Sequence, residues 1–178
     1  MTASADHLPP ALADKIVPAE QARQRVEAAR TGGARIVFTN GCFDLLQADH
    51  VQCLHLARRL GDLLVVGLNS DASVRKLKGP GRPIHSLSER ALILAGLASV
   101  DLVVPFEELT SAELLRLLRP ELFVKGGDYT VEELDPTERA VVLSYGGRIR
   151  LIRCRPERST TDTIARAAAA HRLAHPGA

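Results

Sequence analysis

Four short apolar runs of the 178-residue chain are each followed by small, polar or charged residues. The chain has five such runs, and the residues that follow four of them are of this kind. These residues are Asn40, Gly41, Phe43 and Asp44 after the first run, Asn69 and Asp71 after the second, Lys125, Gly126 and Asp128 after the fourth, and Arg158, Ser159, Thr160 and Thr161 after the fifth. Glycine lets a backbone approach a ligand closely, and asparagine tolerates the turn that such an approach needs. Hydroxyl groups and free backbone N–H groups at a helix start bind anions. These residue types are suited to holding phosphate and ribose groups.

Gln47 and His50 stand at the start of a predicted helix, directly after the first cluster. A histidine there adds a hydrogen-bond donor where the helix dipole already favours anions. Positive charge of the kind that a polyphosphate needs is supplied by Lys76, Lys78, Arg82, Lys125 and Arg158. The chain has neither G-x-G-x-x-G nor G-x-x-x-x-G-K-[ST], so neither a dinucleotide fold nor a P-loop is indicated.

The elements that must position these residues are short strands and longer helices in alternation. Nearly unbroken apolar runs predict strands buried on both faces at residues 35–39, 63–68, 102–106, 122–125 and 149–153. Helices are predicted at residues 18–30, 50–60, 88–97, 111–118, 137–145 and 160–173. The alternation predicts an α/β fold, a Rossmann-like doubly wound five-stranded parallel sheet. Ligands of such sheets bind beyond the carboxyl ends of the strands, so the four clusters are expected to form one site.

Composition excludes several classes of protein. With 46% hydrophobic residues, we expect one globular domain at residues 18–173, a loose arm at 1–17 and a frayed tail at 174–178. No membrane-spanning run or secretory signal is present, which predicts a cytoplasmic protein without a membrane partner. A net charge of +2 and 3% aromatic residues disfavour a nucleic-acid surface. Three widely spaced cysteines predict reduced thiols, with no zinc knuckle and no metal site.

Each cluster also has an ordinary structural explanation. Residues 159–162 fit a helix N-cap, and residues 126–128 fit a turn. Lys76 and Lys78 fit a solvated helix face. Cys42 fits a small buried group, because no nearby general base marks it as a nucleophile. The expected convergence of several clusters at one edge of the sheet, rather than any single cluster, favours a binding site.

Residues 39–46, 69–71, 125–130 and 158–161 together resemble the cytidylyltransferase-like nucleotidyltransferases, and most closely the D-glycero-β-D-manno-heptose 1-phosphate adenylyltransferases. The resemblance runs from about residue 18 to residue 170. It implies transfer of an adenylyl group from ATP, with Mg²⁺, to a sugar 1-phosphate, releasing pyrophosphate without a covalent enzyme intermediate. Such chemistry needs mainly positioning and charge stabilisation. The implied partner is a small-molecule sugar phosphate, and a homodimer is an expectation from the family.

The same resemblance assigns roles to residues of this chain. Residues 40–44 are implied to cradle phosphates, and Asn69 and Asp71 to lie near the nucleotide or the acceptor. Lys125 and Asp128 are implied to flank the nucleoside, with Gly126 between them among the nucleotide-binding residues. Arg158 with Ser159, Thr160 and Thr161 is implied to hold the β- and γ-phosphates. The expected catalytic residues are His50, Gln47, Lys125 and Arg158.

One motif departs from the family's pattern, His-x-Gly-His, and reads Gln47-Ala48-Asp49-His50. A neutral amide at residue 47 donates a weaker hydrogen bond than a charged imidazole, and loss of one such donor typically costs about 10²–10³-fold in rate. Asp49 adds negative charge beside a polyphosphate, although a carboxylate also binds Mg²⁺. Two alternatives therefore stay open. One is a nucleotide-binding homologue with weak or no catalysis, and the other is cytidylyl transfer to another phosphorylated acceptor.

Overall fold

The computed structural model describes residues 10–127, 130–153, 163–167 and 169–170. Its five strands form one parallel sheet in the order β3-β2-β1-β4-β5: β1 (Ile36–Gly41), β2 (Leu63–Asn69), β3 (Leu102–Phe106), β4 (Leu122–Gly126) and β5 (Arg148–Ile152). The helices are α1 (Pro10–Ala13), α2 (Ala19–Thr31), α3 (Ala48–Arg58), α4 (Asp71–Lys78), α5 (Leu87–Ala95), α6 (Ala112–Leu118) and α7 (Pro136–Ser144), and residues 163–167 are also helical. The predicted Rossmann-like five-stranded parallel sheet is confirmed.

The strand order reverses between β1 and β4. From β1 the chain adds β2 and then β3 on one side, and afterwards returns to add β4 and β5 on the other side. Two helices diverging from neighbouring strands leave a crevice at such a point, where ligands of open α/β sheets bind. The crevice lies between the ends of β1 and β4, which carry Asn40 and Gly41 on one side and Lys125 and Gly126 on the other.

Both faces of the sheet are packed, which explains the unbroken apolar runs. Along β1, Ile36 and Phe38 belong to one buried cluster, whereas Val37 belongs to the cluster on the opposite face. All three side chains are fully buried. Successive side chains of a strand point to opposite faces, so a strand covered by helices on both faces is apolar at every position.

Helix α4 is not among the helices that were predicted from the sequence. Ser70 caps the helix, since its hydroxyl accepts a hydrogen bond from the backbone N–H of Ser73 at 3.2 Å. Residues 71–78 are mostly polar, but the segment is amphipathic, and Ser73 and Val74 are buried against the rest of the domain. A side-chain cap and one buried face therefore stabilise this short helix, which was not predicted from the sequence because of its mostly polar composition.

Residues 10–17 do not form part of a loose arm, and in this respect the prediction for residues 1–17 is wrong. Ile16 forms a parallel bridge with Val103, and the backbone N–H of Val17 donates to the Val103 carbonyl at 3.0 Å. The Lys15 ammonium donates to the Val100 carbonyl at 2.8 Å, and Val17 is 3% exposed. This segment covers the outer edge of β3, whose backbone groups would otherwise lack partners. Within the described ranges no helix has the length and apolar character needed to cross a bilayer.

Candidate active site

A cavity of about 710 Å³ opens where the carboxyl ends of β1 and β4 meet. Its volume falls in the range of about 300–1,000 Å³ that is usual for small-molecule sites. Ten of the residues singled out in the sequence line it: Asn40, Gly41, Phe43, Asp44, His50, Asn69, Lys78, Arg82, Lys125 and Gly126. The expected convergence of the first, second and third clusters is therefore found in the structure.

The loop after β1 folds back over its own glycine. Phe43 has φ of 43°, a left-handed conformation, and a Cβ at Gly41 would lie 3.1 Å from the Phe43 ring. The ring meets His50 edge-on, with 5.8 Å between the ring centroids. A side chain at residue 41 would require the Phe43 ring to shift, so glycine here lets the loop pack closely beside the cavity.

Asp44 is 4% exposed, and its carboxylate is used to hold another part of the cavity wall. It pairs with Arg82 and accepts hydrogen bonds from the backbone N–H groups of Ile84 at 2.6 Å and His85 at 3.3 Å. Burial acts to raise the pKa of Asp44, but the bonds from Arg82 and the two backbone groups outweigh it and hold that pKa below its ordinary value. Asp44 therefore shapes the cavity through residues 82–85.

Arg90 organises the loop after β1, although nothing about it drew attention in the sequence. Its side chain is fully buried and donates to the Cys42 carbonyl at 2.6 Å, the His85 carbonyl at 3.1 Å and the Asp71 carboxylate at 2.7 Å. Asp71 is not one of the described residues that line the cavity, because its carboxylate faces Arg90. The arginine stands among apolar residues in the sequence of α5, and this position is a signal that could have identified it as buried.

Gln47 is the N-cap of helix α3, and its backbone determines which tautomer His50 adopts. The Gln47 backbone N–H donates to His50 Nδ1 at 3.0 Å, so Nδ1 is an acceptor and the proton of the neutral ring lies on Nε2. Burial lowers the pKa of His50, while the charge of Asp49 acts in the opposite direction. At neutral pH the ring is uncharged and keeps one N–H donor, on Nε2.

The side chain of Gln47 binds a distant helix. Its Nε2 donates to Thr163 Oγ1 at 2.7 Å, which joins the start of α3 to the helical residues 163–167. Gln47 is not among the described residues lining the cavity, whereas Asp49 is. The carboxylate of Asp49 lies 3.8 Å from His50 Nδ1. The substituted positions of the motif thus differ: one packs against the protein and the other faces the cavity.

Lys125 is paired with Glu138, a residue that was not singled out in the sequence. Lys125 Nζ lies 3.1 Å from Glu138 Oε2, and Glu138 is 2% exposed. Glu138 shares the buried face of α7 with Val141 and Val142, at spacings of three and four residues. A carboxylate on the apolar stripe of an amphipathic helix is a signal that could have identified it.

Five of the predicted site residues lie outside the described ranges: Asp128, Arg158, Ser159, Thr160 and Thr161.

Of the cysteines, Cys42 is a free thiol whose pKa is raised by burial. Cys53 is disulfide-bonded, so the expectation of reduced thiols is wrong for this residue. A Cβ at Gly126 would lie 2.8 Å from Cys53 Sγ, which explains the glycine at the end of β4.

The described residues contain no cluster of three or more histidine, cysteine or acidic side chains that could hold a metal ion by themselves. Five acidic residues line the cavity: Asp44, Asp49, Glu133, Asp135 and Glu138. All of these except Asp49 pair with a basic side chain or accept hydrogen bonds from backbone N–H groups. This arrangement fits Mg²⁺ that is carried by phosphate oxygens and touches few protein groups.

Comparison with known proteins places the chain in a family. Residues 38–166 match the family described as cytidylyltransferase-like. The chain is 55% identical over 152 residues to the bifunctional protein HldE of Syntrophotalea carbinolica, and 51% identical over 152 residues to that of Caulobacter vibrioides. Each match covers 85% of this chain but 31% of the relative, so the chain spans about a third of the length of these relatives.

Two solved structures have similar folds. A lipopolysaccharide core biosynthesis protein from Thermoplasma volcanium has a TM-score of 0.56 at 25% identity, with 68% of this chain and 97% of that chain covered. A pantoate–β-alanine ligase from Francisella tularensis has a TM-score of 0.52 at 14% identity, with 78% of this chain and 66% of that chain covered. The second likeness concerns the fold alone. By its family match and its relatives, the chain belongs to the cytidylyltransferase-like family of nucleotidyltransferases.

Proposed function

We propose that this chain transfers an adenylyl group from ATP to a sugar 1-phosphate, heptose 1-phosphate, giving an ADP-sugar and pyrophosphate. The observation that carries the proposal is the cavity where β1 meets β4, which brings together the His50 ring and the Lys125 ammonium. Both groups donate hydrogen bonds, and neither is an activated nucleophile. A site of this kind is suited to direct transfer between two bound substrates.

In the proposed reaction a phosphate oxygen of the sugar 1-phosphate attacks the α-phosphorus of ATP. The bond between the α-phosphorus and the bridging oxygen breaks, and pyrophosphate leaves with that oxygen and its electron pair. Negative charge increases on the phosphate oxygens during the reaction. Lys125 supplies positive charge to these oxygens, and the neutral His50 ring donates a hydrogen bond to them from Nε2–H. Mg²⁺ bound to the phosphates would neutralise the leaving group, and Asp49 is the residue positioned to touch it.

The acceptor is assigned by similarity. The sequence resembles heptose 1-phosphate adenylyltransferases, and the structural neighbour from Thermoplasma volcanium is a lipopolysaccharide core biosynthesis protein. These likenesses favour a sugar phosphate that serves surface polysaccharide. We extend the family's homodimer and a cytoplasmic location to this chain on the same basis, and sedimentation of the purified protein tests the former.

The test is release of pyrophosphate by the purified chain with ATP, Mg²⁺ and heptose 1-phosphate. Parallel reactions with CTP and with glycerol phosphate distinguish cytidylyl transfer and another acceptor. Lys125→Met is the matched control, and we expect it to lower the rate about 10²–10³-fold. Absence of pyrophosphate above background in every combination refutes the proposal.

A nucleotide-binding homologue with weak catalysis is the second candidate, because Gln47 is engaged by Thr163 and Asp49 faces the cavity. It predicts that calorimetry detects ATP or CTP while the rate stays low. It further predicts that Gln47→His combined with Asp49→Gly raises the rate about 10²-fold or more with little change in folding. A lower rate in the double variant shows that the site is adapted as it stands.

A further inference from the structure

Glu138 holds a network that joins two helices to the two strand ends of the cavity. Its Oε1 accepts hydrogen bonds from the Ser111 backbone N–H at 2.8 Å and from the Ser111 hydroxyl at 2.8 Å. The same oxygen accepts from Asn40 Nδ2 at 3.3 Å, and Oε2 lies 3.1 Å from Lys125 Nζ. Ser111 is fully buried at the start of α6, so the carboxylate is oriented from behind the cavity.

This network leaves one polar atom without a partner. Asn40 Oδ1 is buried and has no hydrogen-bond partner among the described residues. Because Glu138 accepts from Nδ2 of the same amide, the orientation of Asn40 is set and its oxygen remains as the acceptor. A buried acceptor without a partner is costly unless a donor reaches it, and Asn40 lines the cavity. The arrangement suits a hydroxyl or amino group of a bound ligand.

The same carboxylate restrains Lys125. A lysine side chain loses rotamer entropy when it is fixed, so an ammonium that is held in place before the ligand arrives spares that cost in the reaction. A negative charge 3.1 Å from the ammonium also weakens its attraction for an anionic ligand in the ground state. The Glu138 carboxylate therefore opposes nucleotide binding, while it holds the Lys125 ammonium in position for the reaction.

We infer that Glu138 is a positioning residue, which orients the Lys125 ammonium and the Asn40 amide toward the phosphates and hydroxyl groups of the substrates. The inference rests on the proposed function for the identity of those substrates. The inference predicts that a change at Glu138 lowers kcat without weakening ATP binding, whereas loss of a purely structural carboxylate would impair both. Glu138→Gln keeps the side-chain volume and an oxygen for Ser111, but it removes the charge that holds Lys125.

The kinetic experiment compares Glu138→Gln with the native chain. We expect kcat to fall about 10- to 100-fold, while ATP binds as tightly as before or about threefold more tightly. Glu138→Asp, which keeps the charge on a shorter stem, is expected to recover part of kcat. A rise in the Kd for ATP together with a lower Tm, or an unchanged kcat, overturns the inference.

Two further arms show whether the effect acts through Lys125. In a Lys125→Met background, Glu138→Gln is expected to change kcat less than about threefold, because coupled residues are not additive. A full multiplication of the two effects contradicts the inference. The matched control is Glu121→Gln, since Glu121 accepts from the Ile36 backbone N–H at 2.8 Å and from Arg30 at 2.8 Å, at the opposite end of the sheet. It is expected to lower stability and leave kcat unchanged.

A third arm does not depend on catalysis. Lysine acetylation, measured by mass spectrometry without nucleotide, is expected to be several-fold faster at Lys125 in Glu138→Gln than in the native chain. Lys15 serves as the internal reference, because its ammonium donates to the Leu97 and Val100 carbonyls far from Glu138. Equal Lys125 rates in both proteins overturn the inference even if no pyrophosphate is released. Faster Lys125 labelling in an inactive protein supports the positioning and refutes only the proposed function.

Discussion

Replacing Arg90 by methionine tests whether the buried guanidinium is the principal support of the loop after β1. Methionine keeps much of the side-chain volume but cannot donate to the Cys42 and His85 carbonyls or to Asp71. The Arg90 side chain is 0% exposed, so its own removal also relieves a desolvation penalty. The outcome depends on what the three acceptors do once it is gone.

The magnitude follows from the exposure of those acceptors. A hydrogen bond to a charged group contributes about 1.5–3 kcal/mol, and breaking a buried pair costs about 3–5 kcal/mol. The Asp71 side chain is 32% exposed and regains water, which removes part of the loss. We therefore expect Arg90→Met to lower the free energy of unfolding by about 3–5 kcal/mol, less than the sum of three separate bonds.

Urea denaturation at neutral pH measures the change, with Arg58→Met as the matched control. Arg58 lies 2.7 Å from Asp101 and donates to the Gly61 carbonyl at 2.7 Å, but its side chain is 34% exposed. Solvent screens this pair, so the control is expected to lose about 1 kcal/mol or less. Equal losses in the two variants would refute the reasoning. The ATP Kd is expected to rise in Arg90→Met alone, because the Cys42 carbonyl lies in the cavity loop.

Two other predictions concern the start of α3 and the acid response of the fold. Gln47→Ala and Thr163→Val are each expected to lower the free energy of unfolding by about 0.5–1.5 kcal/mol, with no further loss in the double variant, because both remove one hydrogen bond. If Gln47→Ala instead lowers kcat about 100-fold while Thr163→Val has no effect, Gln47 is a phosphate donor. The folded pKa of Asp44 lies below its ordinary 3.8, so its stabilising contribution is present above pH 3.8 and is lost as pH falls through the folded pKa. Urea midpoints measured from about pH 5 to pH 2 should therefore fall less steeply in Asp44→Asn than in the native chain, and identical slopes would contradict this assignment.

The sheet could be predicted because its signals are local. Each central strand is a run of apolar residues, and the predicted strands coincide with β1 to β5 within one or two residues. Helix α4 was missed because it is short and mostly polar, although its cap and its amphipathic face are local signals. The docking of residues 10–17 could not be predicted in this way, because it depends on contacts made elsewhere in the fold. Val17, for example, is buried only because its segment lies along the edge of β3.

The candidate site could be predicted in its outline for the same reason. Asn40 and Lys125 follow apolar runs, and the rule that ligands bind at the carboxyl ends of parallel strands makes them candidates without knowledge of strand order. Their adjacency required β4 to pair with β1. Local sequence carries no information on that choice, since the two strands are far apart along the chain.

By itself, the sequence determined the alternation of strands and helices, the residues at the strand ends and the likeness to a family, because these depend on neighbouring residues. Tertiary structure alone decided which polar and charged groups are partners. Arg90 meets the Cys42 carbonyl 48 residues away, and Gln47 meets Thr163 across 116 residues. A buried charge is stable only where distant parts of the chain supply its hydrogen bonds, so the roles of Arg90 and Glu138 become apparent only when the chain is folded.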